Sequence, residues 1–477
     1  MKKKAFKMFK AVFFPLPFIL GFIGLYFYDV KSFEMAIYSC IKMYTFGYAG
    51  DGVNVFIILA RWLGPLATLS GVIMVFSAVR NKIRSYIMYK RGESVAVYGP
   101  SDERAAMLTL LGKRGINIDK KFIRARRYIL LGNDKDNLSF YNQNRTALSD
   151  AEVYMRCCSV QAEAVNDVHL HVFCPEEAAA RLFWKNRGVY ELTRERGNSL
   201  KIVLIGSGEL IEKVLESALI ANIFSPDQHI EYHVFGNCDE FRAIHTSLDQ
   251  ISDPVVFHSE PWYQSTSLIE QSDLAIILEQ DDQLALIEKL LLATKNCVFD
   301  VFAANRELIS LIDDGRRLKL YDWKSETQKP ELIFTDKLFE NAKKINLKYA
   351  SVYGGVEESP ENLETEWKKL DPFTRHSNIS AADYHSIRLK MLEADGLPAD
   401  AEKLSPDVIE RLSELEHIRW CRYHYLNNWT YGVPENGRTK DTAKRIHCDL
   451  LPYGELSDSE KDKDRDSVRL LLSIIVK

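Results

Sequence analysis

Uncharged apolar runs distinguish the N-terminal part of the chain from the rest. One run extends from Ala11 to Tyr28 and a second from Trp62 to Val79, and neither contains a charged side chain. A helix needs about 20 apolar residues to cross a hydrocarbon core of about 30 Å, and each run nearly reaches that length. The pattern predicts a two-helix transmembrane hairpin over residues 1–92. A buried helical hairpin in a soluble domain is the alternative.

Basic residues flank the two apolar runs on their outer sides, whereas the loop between the runs is not basic. Such flanks stay on the cytoplasmic side of a membrane. We therefore expect a protein of the bacterial inner (cell) membrane, with both termini and everything after Lys90 in the cytoplasm. The flanking residues are Lys2, Lys3, Lys4, Lys7, Lys10, Arg80, Lys82, Arg84, Lys90 and Arg91.

The loop between the runs contains the sequence Thr45-Phe46-Gly47-Tyr48-Ala49-Gly50-Asp51. It resembles the selectivity filter of potassium channels, in which backbone carbonyls coordinate the ion. Ala49 interrupts that motif, and the preceding segment is short for a turret and a pore helix. An interfacial amphipathic helix from Met35 to Met43 is the other interpretation of this loop.

From Glu93 onward, short apolar strands alternate with helical patterns. The first strand is Ser94 to Gly99, and a helix pattern begins at Pro100-Ser101-Asp102. This alternation is typical of βαβ units and a parallel sheet. The residues Asp136-Asn137-Leu138, which follow another apolar strand, resemble the TrkA-N or RCK type of Rossmann domain found with potassium channels and transporters. We assign residues 93–198 to a first such domain, which lacks a glycine fingerprint.

A second Rossmann-like domain is predicted for residues 199–326. Its first strand leads into Gly206-Ser207-Gly208, a loop that would let a phosphate approach the start of the following helix. Gly206 and Gly208 are therefore candidates for cofactor binding. However, Ile211 occupies the third glycine position, and Glu209 would place a negative charge beside a pyrophosphate. A Rossmann fold retained for subunit packing is the other interpretation.

Helical patterns replace the strands between residues 327 and 400, and we expect a connector that docks the C-terminal module onto the sheet domains. Two of its polar side chains, Arg375 and Asn378, are candidates to line a ligand pocket.

Aromatic and polar residues are interleaved in the last part of the chain, residues 401–477. The motifs are His417-Ile418-Arg419-Trp420, then Trp429-Thr430-Tyr431-Gly432, then His447 to Tyr453, and finally Asp464-Arg465-Asp466 before an apolar helix. Flat rings beside hydrogen-bonding groups suit a pocket for a planar polar ligand, although the same rings could form only a core.

In this order, the motifs resemble the RyR domain, the repeated module of ryanodine receptors that also occurs in bacterial proteins. The resemblance implies a compact helical module that can hold an adenine nucleotide, with Trp420 stacking on the base. The chain departs from the receptor pattern at Cys448, where a proline is usual, and at Asn427-Asn428, where a glycine commonly precedes the tryptophan.

The resemblance and the residue chemistry together give the candidate ligand site. Guanidinium and ammonium groups match phosphate oxygens, and aromatic rings and amides suit a base. The candidates in this module are Trp420, Trp429, Tyr431, His417, Arg422, Asn436, Arg438, Lys444 and Arg465.

The composition and the motifs argue against several classes of protein function. The net charge of −4 gives no footprint of nucleic-acid binding. The eight cysteines are scattered without a C-x-x-C pair, so we expect reduced thiols rather than disulfides or a zinc site. The eleven histidines show no metal-ligand spacing, and no catalytic motif is present, so we expect neither a metal nor an enzyme.

The sequence predicts a membrane-anchored, homo-oligomeric α/β protein with a transmembrane hairpin, two Rossmann-like domains and a RyR-like domain. Its expected partner is a small nucleotide-type signal, whose binding gates or reorganises a transmembrane assembly, as in an ion channel or an antiviral effector. The alternative is a potassium channel or transport regulator with RCK-type cytoplasmic domains.

Overall fold

The structure is a computed structural model in which the chain divides into two compact units, Met1–Ser94 and Val95–Lys477. Along the helix of residues 55–90, the side chains of residues 74, 75 and 77–82 lie outside the description. The structure describes residues 13–29, 31–45, 47, 48, 50, 54–118, 122–159, 169–313, 315–334, 339–435 and 437–474.

The N-terminal unit contains one helix that is long and apolar enough to cross a membrane, judged by length and composition over the described residues. Its apolar stretch is Val55–Ile73. The helices of this unit are α1 (Leu16–Phe22), which continues as a π-helix (Ile23–Tyr28), α2 (Phe33–Met43) and α3 (Val55–Lys90).

The expected hairpin of two spanning helices is therefore wrong for the described residues. The first apolar run forms seven α-helical and six π-helical residues, a length of about 20 Å, which is shorter than a hydrocarbon core of about 30 Å. Its α-helix begins only after Pro15, where Pro17 occupies the first turn. Ala11 and the N-terminal lysines lie outside the described residues.

Helix α2 contains the segment Met35 to Met43, for which an amphipathic helix was one interpretation. Ser32 caps its N-terminus, and its buried residues, Ala36, Ser39, Cys40 and Met43, lie on one face. The helix is thus confirmed, whereas its position at a membrane surface stays a prediction. Phe46, Ala49 and Asp51 of the filter-like sequence lie outside the described residues, so the filter stays a prediction too.

Two parallel sheets dominate the second unit, as the alternation of strands and helices predicted. The first has the order β2-β1-β3-β4-β5, with every neighbouring pair parallel. This is the order of flavodoxin-like sheets. Its strands are β1 (Val95–Tyr98), β2 (Gly115–Asn117), β3 (Arg127–Leu130), β4 (Glu152–Arg156) and β5 (Leu170–Phe173).

The second sheet has the order β11-β10-β9-β6-β7-β8, also entirely parallel. Numbered within its own domain, this is 6-5-4-1-2-3, the strand order of dinucleotide-binding Rossmann sheets. Its strands are β6 (Ser199–Ile205), β7 (His229–Phe235), β8 (Val255–His258), β9 (Leu274–Ile277), β10 (Phe299–Phe302) and β11 (Leu318–Tyr321).

The central strand β6 shows why this sheet has two cores. Ile202 and Leu204 point into one cluster of buried residues, while Val203 and Ile205 point into a second cluster on the opposite face. Because successive side chains of a strand alternate between faces, a continuous apolar run fits only a strand covered on both sides.

Helices cover the sheets and connect them to the C-terminal part of the chain. The helices of the sheet domains are α4 (Ser101–Leu111), α5 (Asp134–Leu148), α6 (Pro175–Arg187), α7 (Val189–Arg196), α8 (Glu209–Ala221), α9 (Asp239–Ile244), α10 (Thr266–Glu270), α11 (Gln283–Ala293) and α12 (Arg306–Ile309).

The described part of the connector is mainly helical, and two long helices frame the C-terminal module. A small sheet lies between them, with strands β12 (Thr430–Tyr431), β13 (Lys440–Asp441) and β14 (Ile446–His447). The helices are α13 (Trp323–Thr327), α14 (Pro330–Phe334), α15 (Glu340–Gly354), α16 (Pro360–Lys369), α17 (Pro372–Ala394), α18 (Pro406–Leu426) and α19 (Asp458–Ser473).

One hydrophobic core joins the second sheet domain to the connector and the C-terminal module. It contains apolar residues of α6 and α8, of the second sheet, of α17 and of α18. Tyr384 of α17 adds a hydrogen bond to this packing, because its hydroxyl donates to the carbonyl of Ile223 at 2.8 Å. The C-terminal module is therefore packed onto the second sheet domain.

Cys158 and Cys174 form a disulfide, so the expectation that all eight cysteines are reduced thiols is wrong for this pair. Cys158 follows β4 and Cys174 follows β5, two parallel neighbours whose carboxyl ends lie at the same edge of the sheet. That adjacency brings the two Cα atoms to 4.9 Å across a sequence separation of 16. The spacing of the cysteines along the chain did not reveal it.

Substitution of Gly236 tests the close approach of two loops at the edge of the second sheet. A Cβ atom at Gly236 would lie 1.6 Å from the carbonyl oxygen of Gly206, and the φ of Gly236 is +154°. We expect Gly236→Ala to lower the free energy of unfolding by about 1–3 kcal/mol or more. Thermal unfolding of the full-length protein measures this. Gly454→Ala is the matched control, since no atom lies within 4 Å of its Cβ position.

Candidate functional site

A cleft of about 440 Å³ opens between the connector and the C-terminal module. Helices α15 and α17 form one wall, and α18 and α19 form the other. Its volume is within the range of small-molecule sites, about 300–1,000 Å³. The lining residues are Ile345, Tyr349, Tyr353, Ser377, Asn378, Ala381, Glu416, Arg419, Trp420, Lys463, Asp464, Ser467 and Leu471.

Helix α18 supplies three of the residues that line the cleft. Ser405 caps its N-terminus by accepting a hydrogen bond from the Val408 backbone, and Pro406 occupies its first turn. Residues three and four positions apart share a helix face, so Glu416, Arg419 and Trp420 reach the cleft together.

A buried ion cluster lies beneath the cleft. Arg388 Nη2 is 2.5 Å from Glu416 Oε2, and Arg419 Nη2 is 2.8 Å from Glu416 Oε1. Arg419 also donates to Ser380 Oγ at 2.7 Å. Burial opposes ionisation of Glu416, but the two guanidinium groups hold the pKa of its carboxyl below the ordinary value. Two buried cations thus share one carboxylate.

His417 is a third cation in this layer. Its Nδ1 donates to Asp464 Oδ2 at 3.1 Å, and its Nε2 donates to the Leu451 carbonyl at 2.9 Å. Burial alone would lower the pKa of His417, but its hydrogen bonds to Asp464 and Cys421 outweigh burial and raise the pKa to about 10. With an acceptor at each ring nitrogen, the ring is an imidazolium at neutral pH.

The Trp420 ring is half-buried, and three histidines support it from the protein side. Its centroid lies 5.7 Å from that of His417, 4.0 Å from His424 and 4.9 Å from His447. Burial lowers the pKa of His424 to about 3 and also lowers that of His447. Two neutral imidazoles and one imidazolium therefore fix the orientation of the indole, which lines the cleft.

The opposite wall adds two phenol rings and an amide. Tyr349 and Tyr353 stack with centroids 6.0 Å apart, and the Tyr349 hydroxyl donates to Ser467 Oγ at 2.7 Å. The side-chain amide of Asn378 has no hydrogen-bond partner among the described residues and can both donate and accept. This wall offers aromatic surface and a neutral polar group.

Of the candidate site residues predicted from the sequence, Trp420 and Asn378 line this cleft, and His417 supports Trp420 from behind. Trp429 lies elsewhere: it is 4% exposed and packs in the core against Phe373, Cys421 and Leu450.

Three predicted cations are engaged in structural contacts. Arg422 forms a buried ion pair with Asp253 of the second sheet domain, with Nη2 2.6 Å from Oδ2. Arg465 donates two hydrogen bonds to Glu410, at 2.7 and 2.8 Å. Arg375 donates to the backbone carbonyls of Trp367 and Lys368, at the end of α16.

The small sheet carries three further predicted residues outside the cleft. Tyr431 is exposed on β12, Arg438 is exposed in the loop before β13, and Lys444 pairs with Glu435 at 3.2 Å. Asn436 lies outside the described residues.

Gly206 and Gly208 lie at the edge of the second sheet where the strand order reverses. Glu279, which follows β9, reaches the same place: its Oε2 accepts from Ser207 Oγ at 2.8 Å, and its Oε1 accepts from the Gln280 backbone at 3.0 Å. Together with Glu209 at the start of α8, this carboxylate places negative charge where a pyrophosphate would bind. The geometry therefore disfavours a dinucleotide here.

Two groups in the described residues bring three potential metal-ligand atoms together. They are Cys158, Cys174 and Glu176, and the sequential neighbours His447, Cys448 and Asp449. The first includes the disulfide. In the second cluster, the three residues hydrogen-bond to one another. The Asp449 backbone donates to His447 Nδ1 at 3.1 Å, and Cys448 donates to the Asp449 carboxylate.

The sequence interpretation missed the wall formed by Tyr349 and Tyr353 and the cations Arg388 and Arg419. A signal for Arg419 was present, because it lies three residues after Glu416 and directly before Trp420 on a helix. No local signal marks Arg388, whose partner Glu416 is 28 positions away.

The Arg422–Asp253 pair joins the C-terminal module to the second sheet domain, and its loss should be costly. We expect Arg422→Ala to destabilise the protein by about 3–5 kcal/mol, because Asp253 would stay buried without its cation. Thermal unfolding and limited proteolysis of the full-length protein measure the effect. Arg469→Ala, which removes an exposed partner of Asp466, is the matched control and should change stability little.

The His417–Asp464 contact makes stability depend on pH. Because the pKa of His417 is raised from 6.5 to about 10, its stabilisation is fully present below about pH 6.5 and is lost as the pH rises through 10. Unfolding midpoints measured from pH 6 to pH 10 should fall more steeply for the wild type than for His417→Gln. Equal slopes in the two proteins would contradict this assignment.

Comparisons with known proteins support the C-terminal assignment. Residues 397–477 match the family model described as the RyR domain, and no curated protein matches the chain. One solved structure with a detectable match is TP0037 from Treponema pallidum, a D-lactate dehydrogenase, at 11% identity over 64% of this chain and 98% of that chain. Its TM-score of 0.21 is too low to support an argument. The C-terminal part of the chain is a RyR domain.

Proposed function

We propose that this protein is a ligand sensor that binds a nucleotide-type small molecule in the cleft between its RyR domain and connector. The observation that carries the proposal is the combination, in one cleft, of the half-buried Trp420 ring with an excess of buried positive charge beneath it. A planar base and an anionic group would meet complementary surfaces there.

Stacking on Trp420 is the first part of the argument. Its indole is supported on the protein side by three imidazoles, so its orientation is fixed before a ligand arrives. Asn378 adds to the same cleft an amide that has no hydrogen-bond partner among the described residues, and this amide can hydrogen-bond to the edge of a base. Stacking of a base on an aromatic side chain contributes about 1–3 kcal/mol.

Charge is the second part of the argument. The layer beneath the cleft contains three cations, Arg388, Arg419 and His417, against two carboxylates, Glu416 and Asp464. Arg388 is fully buried, and its Nε and Nη1 have no hydrogen-bond partner among the described residues. In a site of low dielectric, this excess favours a ligand that carries negative charge, such as a phosphate.

Residues of the two walls come from different parts of the chain, which gives binding a mechanical consequence. Tyr349 and Asn378 belong to the connector, whereas Trp420 and Asp464 belong to the RyR domain. A ligand that contacts both walls stabilises the arrangement in which they are close, and it shifts the population only by its difference in affinity between arrangements.

We further propose that the N-terminal unit anchors the protein in a bacterial inner membrane, with the second unit in the cytoplasm, and that ligand binding gates or reorganises a homo-oligomeric transmembrane assembly. The apolar stretch Val55–Ile73 supports an anchor. The Rossmann strand order of the second sheet agrees with domains of the TrkA-N or RCK type.

Calorimetry of the full-length protein in detergent, against a panel of adenine and guanine nucleotides, tests the ligand site. We expect saturable binding of a member of the panel, and we expect Trp420→Ala to weaken it by about ten-fold or more because the stacking surface is lost. Tyr431→Ala is the matched control, because that exposed ring lies outside the cleft. Absence of binding across the panel, or equal affinity in Trp420→Ala, would overturn the proposal.

A further inference from the structure

The Cys158–Cys174 pair lies at the carboxyl edge of the first sheet, far in sequence from the RyR domain. Both cysteines are partly exposed and are joined as a disulfide. Five of the remaining cysteines are buried, and Cys448 is partly exposed. The bonded pair is thus accessible to a small reagent, unlike most of the other sulfurs.

The two sulfurs have different surroundings. Cys174 is the N-cap of α6, a helix of 13 residues, and its sulfur accepts a hydrogen bond from the Glu177 backbone at 3.4 Å. Helix N-termini favour a thiolate over a thiol. Cys158 has no helix behind it, and its sulfur is 3.1 Å from Glu176 Oε2, whereas Cys174 Sγ is 3.7 Å from the same oxygen.

We propose that Cys158 and Cys174 form a reversible dithiol–disulfide site that exchanges with low-molecular-weight disulfides of the glutathione class. Cys174 is the attacking thiolate, and Cys158 is the resolving thiol. Glu176 is the nearby carboxylate that accepts the proton of Cys158, and Arg156 pairs with its other oxygen.

The exchange has two steps. The Cys174 thiolate attacks one sulfur of R–S–S–R, so a Cys174–S–S–R bond forms and R–S⁻ leaves and takes up a proton. Cys158 then passes its proton through Glu176 and attacks the Cys174 sulfur, so the Cys158–Cys174 bond forms and the second R–S⁻ leaves and takes up that proton. The chain loses two electrons, and the small disulfide gains them as it becomes two thiols.

The position of the pair gives the reaction a structural consequence. Helix α6, which begins beside Cys174, packs on α8 and carries two ion pairs to other parts of the second unit. Arg181 pairs with Asp383 of the connector, and Arg187 pairs with Asp300 of the second sheet. The disulfide ties the start of this helix to the end of β4, and reduction releases that tie.

Thiol counting on the full-length protein tests the site. The protein is equilibrated in glutathione buffers of graded redox ratio, and its thiols are labelled with a maleimide that shifts gel mobility. We expect a gain of two labelled thiols on reduction under native conditions. Cys158→Ser should gain at most one thiol, released from a mixed disulfide on Cys174, and Cys174→Ser should gain almost none, whereas the matched variants Cys157→Ser and Cys448→Ser should retain the gain of two.

Mass spectrometry separates the two roles. After treatment with oxidised glutathione, Cys158→Ser should carry glutathione on Cys174, and Cys174→Ser should carry at least ten-fold less on Cys158. Equal modification of the two variants would contradict the assigned roles. Hydrogen exchange at the first turn of α6 should be faster in the reduced wild type than in the oxidised protein.

Three outcomes of the wild-type measurement would overturn the proposal, whether or not the variants fold. A pair that stays oxidised in the most reducing buffer until the protein unfolds would be a structural disulfide. A pair that stays reduced in the most oxidising buffer would not be an exchange site. One zinc ion bound per reduced chain, displaced only by oxidation of this pair, would identify Cys158, Cys174 and Glu176 as metal ligands instead.

Discussion

The ion pair between Arg422 and Asp253 is the contact on which the arrangement of the second unit depends. Both side chains are buried, and Asp253 also accepts hydrogen bonds from the Ile230 backbone and from Gln228. Arg422 donates in addition to the carbonyl of Leu219, at the end of α8. Loss of either partner would leave the other charge buried and uncompensated, so we expect this pair to restrict how the RyR domain docks on the second sheet domain.

That docking determines the candidate site. With α18 fixed against the second sheet domain by Arg422, its neighbouring face presents Glu416, Arg419 and Trp420 to the connector. Arg388 of α17 completes the charge layer from the other side. One helix therefore attaches the domain and also supplies part of one wall of the cleft, so a change at either face of the helix is expected to affect the other face.

The second sheet domain illustrates how charge at the switch point of a Rossmann sheet can disfavour a dinucleotide. The second sheet has the Rossmann strand order, and Gly206 lies at its switch point. Glu279 hydrogen-bonds across that loop through Ser207, and Glu209 begins the following helix. A parallel sheet requires strands that are apolar on both faces, whereas phosphate binding requires a particular charge at a few positions. The fold can persist after those positions change.

The local pattern of the sequence was sufficient to predict the parallel sheets and the RyR domain. Alternating apolar strands and helices are encoded over short windows, and the spaced motifs around Trp420 lie within one domain. Short sequence windows were insufficient to predict the length of the helix in the first apolar run. Pro15 and Pro17 shorten the described helix, but they add no charge that would interrupt the apolar pattern. Short windows were also insufficient for Cys158 and Cys174, which become neighbours only through the pairing of β4 with β5.

The sequence by itself determined the class of fold and the positions of most strands and helices, and it led to the prediction that Trp420 stacks on a ligand. Only the tertiary structure decided which polar residues are available to bind a ligand. Arg422, Arg465 and Arg375 have the chemistry of phosphate ligands, but each is engaged by a partner. The physical reason is that a cation pairs with whatever acceptor packing brings near, and those acceptors lie as much as 203 residues away along the chain.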